Sequence, residues 1–148
     1  MLYFKIVTVF CMGLAIGVMY RIPRKLLLYA SCNGVLAWLI VHFTSALGAK
    51  IVLSSFLGGL AAALSSEVLA RRLRKPATIF LLPGFIPMVP GRQAYSTMAH
   101  IVEGRFIEGF ETGVQTILIG GAIAIGIFAS STLFRLASSY KAGINHDH

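Results

Sequence analysis

The sequence predicts an all-α, polytopic transmembrane helical bundle with about five membrane elements, the fourth of them broken. Three observations carry this reading. Of the 148 residues, 57% are hydrophobic and only 12% charged, outside the range of soluble globular chains. Four stretches reach the roughly 20 apolar residues that a helix needs to cross about 30 Å of hydrocarbon. Between the third and fourth of these stands Leu82-Pro83-Gly84-Phe85-Ile86-Pro87-Met88-Val89-Pro90-Gly91, which holds three of the five prolines. Each proline removes a backbone donor and clashes with the preceding turn, so no helix passes through unbroken.

The chain reads as a single transmembrane domain over 1–148. The first span covers 2–20, and because its start lacks a basic leader region and a clear cleavage site it reads as retained. The second covers 26–48, after Arg21, Arg24 and Lys25, and the third covers 51–70, before Arg71, Arg72, Arg74 and Lys75. Basic clusters at one face mark that face as cytoplasmic. The fourth element is placed at 76–98. Its first 16 residues, Pro76 to Gly91, would rise only about 24 Å as a helix, so the segment either re-enters or crosses by carrying Arg92 to Tyr95 inward. Nine basic residues face inward and four outward under either topology, so charge does not decide. The mildly acidic stretch 92–111 favours a crossing with the C-terminus inside. The fifth span covers 114–134. Small residues four apart (Gly13 and Gly17, Ser55 and Gly59, Gly59 and Ala63, Ala122 and Gly126) predict close helix approach within the chain.

A net charge of +8 distributed as short clusters between spans sets topology and does not mark a nucleic-acid surface. Cys11 and Cys32 fall inside apolar stretches and read as small core hydrophobes. No metalloprotease, nucleophile-elbow, Walker or dinucleotide motif is present, so the reading is a non-enzyme without cofactor or metal. The tail His146-Asp147-His148 reads as a frayed terminus.

Non-helical backbone at membrane depth is tolerated only where protein buries it or where it lines a water-filled cavity. Pro83, Gly84, Pro87, Pro90 and Gly91 are therefore the candidate substrate-binding or gating residues. After Gly91 an amphipathic helix is expected, with Tyr95, Met98, Ala99, Val102 and Phe106 on one stripe. Arg92 falls in its first turn, where free N–H groups and the helix dipole favour an anion. With Tyr95 and Ser96 it would hold a small carboxylate through its two-pronged guanidinium. In the competing reading Arg92 snorkels to an interface and the Pro-Gly stretch is a bent connection. Glu67 stands four residues before Arg71 and predicts a helix-surface ion pair, with proton coupling as the alternative. His42 in the second span is either packed or proton-coupling.

Ile86-Pro87-Met88-Val89-Pro90-Gly91 followed by Ala94-Tyr95-Ser96-Thr97-Met98 resembles the signature of the threonine/serine exporter family. The likeness extends through Ile22-Pro23, Leu26, Gly34, Gly58, Gly59 and Lys75-Pro76. It is greatest to the small subunit of the split form of that family, a related pair of which is associated with succinate export. The resemblance implies a multi-pass subunit of the bacterial cytoplasmic (inner) membrane, part of a two-component secondary exporter. It would move threonine, serine or a dicarboxylate together with a larger subunit, and a higher oligomer stays open. With no internal repeat in the chain, the counterpart half is expected on that larger chain. The resemblance transfers no binding site, so the role of Arg92 rests on the physical argument alone. A scaffold that stabilises a larger partner without touching substrate is the competing function.

Overall fold

The computed structural model describes residues 2–143, so the tail at 146–148 lies outside the described residues. Helices α1 (Leu2–Met19), α2 (Arg24–Ala46) and α3 (Ile51–Leu73) are followed by a short α4 (Thr78–Phe85). A single 3₁₀ turn (Ile86–Met88) leads to α5 (Gly91–Val102) and then to the long α6 (Phe106–Gly143). No strand occurs among the described residues. Four helices are long and apolar enough to cross a membrane: α1, α2, α3 and the Phe106–Phe134 part of α6.

Local chemistry sets the ends. Pro23 cannot continue α1 and caps α2, with Leu26 N–H donating to its carbonyl at 2.8 Å. Gly48 supplies the left-handed turn (φ 88°) that closes α2, and Gly104 (φ 80°) does the same after α5. Arg21 (φ 54°) and Arg74 (φ 52°) take this conformation without being glycine. Each is an uncommon geometry that costs about 1–2 kcal/mol. Both lie in the basic turns at one end of the bundle.

The layers are built around α3, which packs on α2, α4 and α6, while α1 packs on α2 and α5 on α6. Bare glycine positions permit the approach. A Cβ on Gly59 would lie 2.7 Å from the Ile123 carbonyl, and one on Gly126 would press on the Phe56 carbonyl. A Cβ on Gly13 would lie 3.0 Å from Ser31 Cα. These contacts are intramolecular and use the small-residue pairs expected from the spacing.

The path of the broken segment follows from its neighbours. Phe80 is buried with Ile22, Leu26, Ala30 and Ala70, at the end that carries the basic turns. Eight residues on, Met88 lies against Gly58 beside Val41, far along α2. The chain does not turn back at the break. It continues into α5, and α6 returns to place Phe134 under Arg71, whose guanidinium carbon is 4.6 Å from the ring centroid.

The Pro-Gly stretch interrupts the fourth element, because Ile86–Pro90 separates α4 from α5, which ends at Val102. The helix expected at 114–134 begins at Phe106. Hydropathy marks where a helix leaves hydrocarbon, whereas Glu108 and Glu111 are compatible with helix outside it. Lys50, Val52 and Leu53 share a groove with Ile117, Leu118 and Gly121, so the start of α3 is level with Ile117. Residues 106–116 and α5 therefore project roughly 16 Å past that level. On this hairpin Thr97 Oγ1 donates to Thr112 Oγ1 at 3.2 Å, and Ile101 packs on Gly109. The apolar stripe of α5 points away from α6, with Tyr95 77%, Met98 62% and Val102 84% exposed.

Candidate functional site: a clamped, broken helix

The core holds one polar cluster that joins three helices, and Asn33 is its centre. Asn33 lies on α2 with 3% of its surface exposed. Its Nδ2 donates to the Ser66 hydroxyl at 2.8 Å, to the Phe80 carbonyl at 3.0 Å and to the Ala62 carbonyl at 3.2 Å. Its Oδ1 accepts from the Ser65 hydroxyl. Ser66 in turn donates to the Ala62 carbonyl at 2.6 Å, and Ser65 to the Ala61 carbonyl at 2.6 Å. One amide thus ties α4, through Phe80, to α2 and α3. A primary amide has two hydrogens, and here they serve three acceptors.

Two glycines bring α4 close enough for this. A Cβ on Gly84 would lie 2.5 Å from Asn33 Nδ2, and a Cβ on Gly34 would lie 2.7 Å from the Pro83 carbonyl oxygen. The second contact joins two features of the sequence. Pro87 has no N–H to give the carbonyl four residues before it, which is that of Pro83. The freed carbonyl rests against the bare face of Gly34. Pro83 itself is fully buried, where its missing N–H leaves Ile79 without its helical donor.

The opposite side of α4 is open. A groove of about 460 Å³ separates α4 and the break from α6, lined by Leu81, Phe85, Val89, Pro90, Ile123 and Phe128 among others. The side chains lining it are almost all apolar. The broken element is therefore clamped on one flank and loosely packed on the other, with joints that leave the α-helix at 74–77 and 86–90.

The residues singled out in the sequence fall into two groups. Pro83, Gly84 and Pro87 meet α2, and Pro90 lines the groove. Arg92 and Tyr95 are exposed on α5, Ser96 is half-buried there, and the Cβ position of Gly91 has no neighbour within 4 Å. The structure does not bring Arg92 and Tyr95 together with Pro83 and Gly84. His42 is half-buried and stacked on Trp38, with ring centroids 5.0 Å apart and planes 8° from parallel. Glu67 is half-buried and makes no ion pair with Arg71 among the described residues, because Arg71 turns over the Phe134 ring. At the hairpin tip Glu103 accepts from Arg105 Nε at 3.0 Å and Nη2 at 2.5 Å. That hydrogen bond raises the guanidinium pKa further above its ordinary value.

Asn33, Ser65 and Ser66 were not among the residues expected from sequence. The available signal was a lone carboxamide in an apolar span, a residue type that bonds across helices when it lies within a bilayer. No group of three or more His, Cys, Asp or Glu side chains is placed to hold a metal among the described residues. The cluster consists of neutral donors and acceptors, suited to holding and releasing and not to proton or electron transfer.

The family model described as Threonine/Serine exporter, ThrE, matches residues 5–133, which include the clamp, the break and the groove. The chain belongs to the threonine/serine exporter family. No curated protein and no solved structure matches it. As a member of an exporter family with four helices able to cross a membrane, it is a multi-pass membrane transport protein. In this exporter the motif that carries the resemblance begins directly after the helix that Asn33 holds.

Proposed function

We propose that this chain is the membrane subunit of a two-component secondary exporter that moves small carboxylate metabolites, threonine and serine foremost, out of the bacterial cytoplasm. A larger subunit of the same family supplies the other half of the path across the inner membrane. The supporting observation is the asymmetry of α4, clamped through Asn33 to α2 and α3 and facing a groove on the α6 side. An element jointed at both ends and held on one flank can alternate between two packings, as alternating access requires. The basic turns support an orientation with the Phe80 end of α4 toward the cytoplasm. Arg92 and Tyr95 then stand beyond the break at the far mouth, where a fixed positive charge draws a departing carboxylate. His42 and Glu67, at membrane depth, are the groups through which a proton gradient would couple.

Succinate shares the carboxylate and forms a separate arm of the test. Proteoliposomes containing the chain and its larger subunit are loaded with labelled serine, threonine or succinate, and efflux is compared between wild type and Pro87→Ala. The alanine restores an N–H to the Pro83 carbonyl and favours an unbroken helix. Most efflux should be lost while insertion and pairing persist. Full efflux by the variant would remove the break from the mechanism. The exposed stripe of α5 favours assembly with a partner, and failure to move any of the three solutes would leave the scaffold role standing.

A further inference from the structure

We infer that Asn33, Ser65 and Ser66, together with the carbonyls of Phe80 and Pro83, form the binding site for the head group of a zwitterionic α-amino acid. The site opens when α4 moves into the groove beside α6. This rests on the exporter reading and names where the cargo is held.

Release of α4 is made easy by the hydrogen-bond count. Asn33 Nδ2 has two hydrogens and three acceptors, two of which, the Ala62 carbonyl and the Ser66 hydroxyl, belong to α3. When Phe80 withdraws, both hydrogens keep partners. Ser65 and Ser66 likewise keep their carbonyl acceptors on α3. No donor of the cluster is stranded in an apolar core, which is the penalty that otherwise locks buried polar contacts. On the receding side, the apolar groove of about 460 Å³ gives α4 room, and the joints at 74–77 and 86–90 let it move as one body.

The slot so opened has unlike walls. On the α2–α3 side stand an amide N–H pair and two hydroxyls, whose hydrogens can turn from their α3 acceptors to a ligand. Across it, on α4, stand the Phe80 carbonyl just released from Asn33 and the Pro83 carbonyl that Pro87 cannot serve. A carboxylate is satisfied by the first wall and an ammonium by the second, and an α-amino acid carries both groups on one carbon. An ionised dicarboxylate matches only the first wall, because its second carboxylate meets carbonyl oxygens and no donor. The arrangement therefore selects an amino acid over succinate. Selection by hydrogen-bond complement is steep where unmatched groups are buried.

The test places a thiol in the cluster. A Ser65→Cys variant, in a Cys11→Ser, Cys32→Ser background, is reconstituted with the larger subunit and treated with N-ethylmaleimide during efflux. Saturating serine or threonine should slow labelling about tenfold, a coupling of ordinary size, and succinate should not slow it. Labelling unaffected by serine while serine efflux continues overturns the site and leaves the exporter intact. A thiol that never reacts during active efflux overturns it equally, since the slot must open. In parallel, Asn33→Asp sets a carboxylate against that of the cargo, and the KM for serine should rise tenfold or more; an unchanged KM overturns the assignment. Efflux of succinate alone by the wild type overturns the site, and absence of efflux for serine, threonine and succinate removes the exporter reading itself.

Discussion

Substituting Gly34→Ala tests the contact between the freed carbonyl and α2. The added Cβ would stand 2.7 Å from the Pro83 oxygen, about 0.6 Å inside the closest ordinary carbon–oxygen approach. The obstacle is backbone, so no rotamer change relieves it and α4 must shift bodily. Overpacking of this kind costs about 1–3 kcal/mol. Against it, alanine in a helix interior gains about 0.5–1 kcal/mol over glycine. The net is a destabilisation of up to about 2.5 kcal/mol in the clamped packing, up to roughly sixtyfold in its population. The control is Gly91→Ala, whose Cβ meets nothing within 4 Å and which should be neutral or slightly stabilising. Both variants are compared by denaturant unfolding in detergent and by N-ethylmaleimide labelling at position 65 in the background described above. Gly34→Ala should unfold earlier and label faster, whereas Gly91→Ala should match its parent in labelling. Equal stability and equal labelling of the two variants would show that the Pro83 carbonyl does not bear on α2, and the clamp geometry would be wrong.

Arg92→Gln should raise the KM for carboxylate efflux at low ionic strength and converge on wild type at high salt, because an exposed charge acts through a screened field. Equal kinetics at both salt concentrations would remove Arg92 from the path. His42→Phe keeps the stack on Trp38 and removes titration, and Glu67→Gln keeps the shape and removes the charge. If either group couples protons, its variant should lose the dependence of efflux on an imposed pH gradient; a retained response excludes that residue. Thr97→Val should destabilise the α5–α6 hairpin by no more than about 1 kcal/mol, measured by local hydrogen exchange, because Thr112 still donates to the Glu108 carbonyl at 2.8 Å. A larger loss would mean that this hydroxyl pair holds the hairpin alone.

The class of fold and the break were legible because both are written locally. Apolar runs of spanning length predict helices, and proline acts on the four residues before it. The helix after Gly91 was legible for the same reason, since Tyr95, Met98 and Val102 follow a helical period. Asn33 was not legible as a centre. Its partners lie 29, 33 and 47 residues away, and only the folded bundle brings Ala62, Ser66 and Phe80 to one amide. The ion pair expected between Glu67 and Arg71 failed for a related reason. Helical spacing places the two side chains within reach, but tertiary packing offers Arg71 the face of Phe134. The early start of α6 was hidden because hydropathy reads the solvent for a helix and not its length.

The two left-handed arginines bear on how orientation in the membrane can be studied. Arg21 and Arg74 belong to the basic turns at one end of the bundle, and each also holds a backbone geometry that glycine would relax. Deleting their charge with glycine would change turn stability and insertion signal in one step, and alanine would add strain of its own. Asparagine removes the charge while tolerating the same φ. A charge-swap series built on asparagine at 21 and 74 would therefore report on orientation alone, whereas Arg24, Lys25, Arg71, Arg72 and Lys75 can be neutralised without regard to a left-handed backbone.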